Sequence, residues 1–173
     1  MNHRCKTGRN ISIHTVFAFF LFVSFEQPLF ANDYLDNISE DYLRTQFEFK
    51  PDENLKYSQC EEKTYSTCTY VWGIESKKDA TRINLGLPPK GSKLQITYAP
   101  AKSQKDFQRV SASYSDAEKI DGLAEDAIWS EVRTQLSLIT NENLIVHVNI
   151  EHADSNNQRV MAISIARALL EQL

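Results

Sequence analysis

Glycine and proline are scarce in this chain, five of each in 173 residues. Phosphate cradles are built from glycine-rich loops, and no GxxxxGK[ST] or GxGxxG run occurs. That excludes the common nucleotide-dependent chemistries. Cations are not in excess, with 19 Lys+Arg against 23 Asp+Glu. A nucleic-acid binder presents a concentrated basic face, so no nucleic-acid partner is expected. There is no HExxH pair and no Gly-x-Ser-x-Gly elbow, which removes the familiar zinc-protease and serine-hydrolase signatures. Three cysteines do not make a zinc site, since closely spaced Cys/His pairs are missing. No cofactor is expected.

Only one long apolar run is present, from Ile11 to Phe25, about 15 residues. A membrane-spanning helix needs about 20. The run follows His3, Arg4, Lys6 and Arg9 and precedes Glu26, Gln27, Pro28 and a small residue, Ala31. A basic head, an apolar middle and a short polar end form the pattern of a removable export signal. Residues 1–31 therefore read as a signal peptide with a cut near Ala31, leaving no membrane span. Cys5 precedes the apolar run, so it is not a lipid-anchor cysteine. The remaining residues 32–173 suit a single domain. They carry 16 Lys+Arg and 22 Asp+Glu, an acidic balance that favours solubility. The expected location is the periplasm or the cell exterior.

Two cysteines remain in that portion, Cys60 and Cys68. An oxidising compartment favours their pairing. A metal pair is the competing reading, but zinc ligands usually sit roughly two to four residues apart, and no second pair completes a site.

Along the chain, Ser39 followed by Glu40 and Asp41 reads as the capped start of a short helix. Pro51 ends it, and the cysteine segment reads as a loop leading into a strand from Thr67 to Ile74. Cys68, Tyr70, Trp72 and Ile74 alternate on one face of that strand. Residues 77–91 read as a charged connection, punctuated by Pro88, Pro89 and Gly91. Leu94, Ile96 and Tyr98 mark a second strand that Pro100 stops. Phe107, Val110 and Tyr114 suit a helix over Ala101–Ser113. Asp121-Gly122 marks a turn, and Ala127–Trp129 a short strand. Thr134–Thr140 and Leu144–Glu151, joined by Asn141-Glu142-Asn143, read as a β-hairpin. A long C-terminal helix follows, capped by Asp154 or Ser155, with an apolar stripe of Val160, Ile163, Ala166, Leu169, Leu170 and Leu173. This order predicts an α+β fold, an antiparallel sheet with helices packed on one face.

Two local patterns carry a resemblance. One is Cys68-Thr69-Tyr70-Val71-Trp72. The other is the stretch from Asp121 through Gly122, Leu123, Ala124 and Glu125 to Trp129, followed by the leucine-rich hairpin and the closing Ala166-Arg167-Ala168-Leu169-Leu170. The chain resembles small exported bacterial envelope proteins whose domain is similar to the Mog1/PsbP-like α/β sandwich. That resemblance implies a fold and an envelope location, and no reaction.

For chemistry, strand alternation places His147, Asn149 and Glu151 on one face, with His152 and Asp154 beyond. Histidine with carboxylate is a metal-ligating combination, which makes His147, Glu151 and His152 metal candidates. The plainer reading is the polar face of an amphipathic strand. Serines 111, 113, 115, 130 and 137 offer hydroxyls without a nucleophile motif. Glu61-Glu62 and Glu125-Asp126 are adjacent carboxylates, whereas glycosidase chemistry needs two that face each other across a cleft. Among the aromatics, Tyr70 and Trp72 are expected in the core, and Trp129, beside a turn, is the candidate for an exposed binding residue. Asn37-Ile38-Ser39 matches a glycosylation acceptor. No catalytic residue is assigned. The expected function is an exported, non-enzymatic binding or envelope-associated protein whose partner is another protein or an envelope component. The alternatives are a small exported hydrolase, metal-assisted through His147 and Glu151, and an immunity- or inhibitor-type protein.

Overall fold

The computed structural model describes residues 38–152 and 157–172. The expected signal segment, and the expected caps Asp154 and Ser155, lie outside them. Seven strands form one antiparallel sheet in the order β1-β2-β3-β7-β6-β5-β4. They are β1 (Asn54–Glu62), β2 (Ser66–Gly73), β3 (Ser92–Pro100), β4 (Glu118–Lys119), β5 (Asp126–Ser130), β6 (Gln135–Ile139) and β7 (Leu144–Glu151). The helices are α1 (Glu40–Gln46), α2 (Lys77–Asn84), α3 (Gln104–Ala112) and α4 (Gln158–Leu170). This is the α+β, antiparallel class that the pattern predicts, with its C-terminal helix. No helix among the described residues is long and apolar enough to cross a membrane.

The two faces of the sheet differ, because side chains alternate along each strand. One face carries Cys68, Tyr70, Trp72, Ile96, Tyr98 and Val148, all nearly or fully buried. With the neighbouring Leu136, Leu138 and Trp129, they form the main core under α1 and α4. Ser39 caps α1, its hydroxyl accepting from the Tyr42 amide at 3.1 Å. Leu43 and Phe47 then fill the core at 0 % and 1 % exposure. Gln46 accepts from the Ser164 hydroxyl at 2.7 Å, tying α1 to α4.

The opposite face carries an apolar cluster at one end and, at the other, the single buried Val71. In that cluster Ile128, Ile139 and Ile145 meet Phe107 of α3. So the helices divide between the faces: α1 and α4 on the main core, α3 on the other side. Between the cluster and Val71 the second face is mostly polar, with Thr67, Thr69, Gln95, Thr97, Ser137 and His147.

Four segments differ from their sequence reading. The cysteine segment is the strand β1, not a loop, and Cys60 pairs directly with Cys68 across the sheet. β1 is an edge strand with most of its residues exposed, so it shows no apolar alternation to recognise. Residues 77–84 form α2 within the expected connection. Its start carries a capping box, in which the Asp79 carboxylate accepts from the Ser76 amide at 2.9 Å. Ile74 falls beyond β2 and is 62 % exposed. The buried face of α4 runs through Gln158, Ala162, Ile165, Ala166 and Leu169, and Val160 points outward. The stripe read from the sequence shares only Ala166 and Leu169 with this buried face, because it passes over the small Ala162 and takes in the outward Val160.

Cys60 and Cys68 are joined as a disulfide, with Cα atoms 4.0 Å apart. The bond fastens the edge strand to β2 and closes a short hairpin, so its effect on the unfolded chain is modest. Replacing both with serine is expected to lower stability by about 2.5 kcal/mol at most. The urea midpoint reads this directly. Non-reducing peptide mapping is expected to return one linked fragment, and two free thiols would contradict the assignment.

Candidate functional site

β1 carries a bulge between Leu55 and Tyr57, where Leu55 pairs with Trp72 and Tyr57 with Val71. A bulge re-aims one side chain. Here it turns Lys56 inward, to 4 % side-chain exposure. Its ammonium donates to Asp79 of α2 at 3.0 Å and to the carbonyls of Ile74 and Lys90. The Lys56 hydrogen bond, followed by the Ser76 amide, holds the Asp79 carboxyl below its usual range. One buried ammonium thus fixes α2 and the start of β3 against the edge strand.

The loop between α2 and β3 is held in turn. Arg82 Nε donates to the Pro88 carbonyl at 2.8 Å, and the Leu87 amide donates to the Arg82 carbonyl at 2.9 Å. Gly91 lies against β2, where a Cβ would collide with the Trp72 carbonyl oxygen. The loop forms one wall of a groove of about 220 Å³ over the polar face of β1, β2 and β3. Gly86 and Pro88 line that wall, and Gln59, Thr67, Thr69 and Gln95 lie on the floor. The flanking Leu85 and Leu87 are 70 % and 47 % exposed.

A second polar cluster lies on the same face, nearer the centre of the sheet. β6 and β7 place Ser137 opposite His147 and Gln135 opposite Asn149. Ser137 Oγ is 2.8 Å from His147 Nδ1, and Gln135 Nε2 is 3.0 Å from it. An amide nitrogen only donates, so Nδ1 is the acceptor and the ring proton sits on Nε2. Gln135 also donates to the Tyr114 hydroxyl at 2.8 Å. Burial pushes the His147 pKa down to about 4, so the ring is neutral at pH 7.

The metal candidates do not converge. His147 is held by Ser137 and Gln135, whereas Glu151 forms an ion pair with Lys93. His152 Nδ1 is 2.8 Å from Ser92 Oγ, and its ring lies 5.8 Å from that of Trp72. Among the described residues, no three His, Cys, Asp or Glu side chains gather within reach of one metal ion. One member of each adjacent carboxylate pair is engaged locally. Glu61 ion-pairs with Lys63 at 2.8 Å, while Asp126 accepts from the Ala127 amide.

Trp129 is not a surface residue. It is 1 % exposed, in the main core, and its indole N–H donates to Glu131 at 2.8 Å. The turn beside it is exposed, but the strand returns the ring inward. Tyr70 and Trp72 are core, as strand alternation predicts.

No family model, curated protein or solved structure matches this chain. The site is therefore read from its own chemistry. Two features on one sheet face compete: the Ser137–His147 pair and the groove.

The pair has the atoms of a nucleophile and a base but the wrong setting. Ser137 is 1 % exposed, so a substrate carbonyl has no approach to its hydroxyl. A base is most effective with a pKa near the working pH, and His147 lies well below it. Among the described residues, no carboxylate hydrogen-bonds the ring to orient it. The cluster does satisfy polar groups where the sheet face begins to be covered. The groove is open, and its floor presents hydroxyl and carboxamide groups. Sequence reasoning misses it because β1 shows no apolar alternation and α2, which positions the loop wall, lies within a segment that reads as a connection. The Ser76-x-x-Asp79 capping box was the available signal for the helix that positions the wall.

Proposed function

We propose that this is an exported, non-enzymatic binding protein that holds a small polar ligand in the groove over β1, β2 and β3. The observation that carries the reading is the contrast on one face: an open floor of polar side chains beside a sealed Ser137–His147 pair. The disulfide supports export, since such bonds persist in oxidising compartments. The order of basic, apolar and polar residues over 1–31 supports it too. The resemblance to small exported bacterial envelope proteins points to the same location.

N-terminal sequencing of the protein recovered from its host is expected to begin near Asn32. A product retaining Met1 would overturn export. Binding is tested in a host strain deleted for the gene. Ser137→Ala and His147→Gln are expected to restore whatever the deletion removes, whereas Thr69→Lys, which fills the groove, is expected to fail despite normal folding. The opposite pattern would establish the hydrolase reading.

A further inference from the structure

We infer that the ligand of this groove is a neutral, polyhydroxylated molecule, a short oligosaccharide; this rests on the groove being a binding site. The first ground is charge. Two ionised side chains border the floor, and each is already neutralised within the chain. Glu61 pairs with Lys63, and Lys93 pairs with Glu151. Among the described lining residues, neither charge is left uncompensated to recognise an anion or a cation.

The second ground is the spacing and type of the floor groups. Gln59 pairs with Thr69, and Thr69 with Gln95, so three side chains form a row across three strands. Neighbouring strands lie ~4.8 Å apart, close to the width of a pyranose ring. Carboxamides and hydroxyls offer both donors and acceptors, as sugar hydroxyls do. Gln59 Oε1 accepts from the Tyr57 hydroxyl, and Thr67 Oγ1 lies 3.0 Å from Thr97 Oγ1. Two internal bonds of the floor are nevertheless long, Gln95 Nε2 to Thr69 Oγ1 and Gln59 Nε2 to Glu61 Oε1, each at 3.4 Å. Such bonds exchange easily for a ligand's hydroxyls.

The third ground is the mixed surface. The Tyr57 ring and Pro88 line the same groove, and sugars present apolar C–H faces as well as polar edges. A peptide lying across the floor finds the backbone groups of β2 beneath it already paired on both sides, with β1 and with β3. The volume of about 220 Å³ suits one or two sugar units.

The test is an amide-shift titration of the isotope-labelled protein. The probes are triacetylchitotriose and maltotriose, both neutral, and trigalacturonic acid, which is anionic. Saturable shifts at Thr69 and Gln95 with a neutral trisaccharide are expected. Gln95→Ala and the isosteric Thr69→Val, which loses only the hydroxyl, are each expected to weaken binding about tenfold. Neutral-sugar binding that both variants retain at full strength would overturn the assignment to this groove. Groove shifts with the anionic probe alone would overturn the neutral-ligand inference and leave the binding reading standing. No groove shift with any probe would overturn the inference. If host envelope extract also failed to shift those amides, the binding reading would fall with it.

Discussion

Replacing Leu169 with alanine is expected to lower stability by about 2–5 kcal/mol, the usual range for a buried leucine truncated in a core. Leu169 is 3 % exposed and belongs to the core between α4 and the sheet. The informative comparison is Val160→Ala. A stripe drawn on large apolar residues places Val160 on the same buried face. The structure leaves Val160 66 % exposed, and an exposed truncation of that kind usually changes stability within about 0.5 kcal/mol. Urea unfolding is expected to show Leu169→Ala strongly destabilised and Val160→Ala close to the parent. Equal losses would mean that α4 docks by the hydropathy stripe, with a different face inward. Gln172→Ala, exposed beyond the helix end, serves as the control and is expected to be neutral.

The second large effect is an acid-side loss of stability that belongs to His147. Burial withholds water from the imidazolium and lowers the folded pKa to about 4. The unfolded chain protonates near 6.5. Between those values the unfolded state binds a proton that the folded state refuses. Stability is therefore unaffected by this group above about pH 6.5 and falls as the pH drops towards 4. The loss is roughly 3 kcal/mol, taking about 1.4 kcal/mol for each pKa unit. His147→Gln keeps an acceptor for Ser137 and cannot protonate, so it is expected to flatten the curve across that window. Two carboxyls lose their contributions at lower pH and do not confuse the reading. Asp79 is held down by Lys56, and Asp116 by the Val132 amide and Ser130. Both contribute fully above the usual carboxylate range and lose that contribution only as the pH falls below about 4. An unchanged slope in the glutamine variant would place the acid sensitivity elsewhere.

Where burial imposes a period, the sequence is readable. β3 alternates through its middle, and β2 and β7 over part of their length, because one face meets the core, and Tyr70, Ile96 and Val148 sit where that alternation puts them. α1 is legible from Ser39 and the acids that follow. The period disappears where neither face is fully buried. β1 has Ser58, Gln59, Glu61 and Glu62 exposed, so nothing marks it as a strand except the partner it finds in β2. α2 presents mostly polar residues to solvent, and only its capping box reveals it. Trp129 shows the converse error, since proximity to a turn says little about the direction of a strand side chain.

Those same gaps hid the groove. The polar face of the sheet is visible as His147, Asn149 and Glu151 along β7, which drew attention to the middle of the sheet. The floor that stays open lies one and two strands away, at Gln95 on β3 and Thr69 on β2. It depends on an edge strand, a bulge and a loop anchored by Lys56, none of which leaves a periodic trace.

The measurement closest to the central claim is amide-shift mapping of the labelled protein in the presence of protein-free envelope extract from its host. The account predicts saturable shifts at Tyr57, Thr69 and Gln95, with Ser137 and His147 unmoved. Shifts concentrated at Ser137 and His147, with the groove silent, would contradict it.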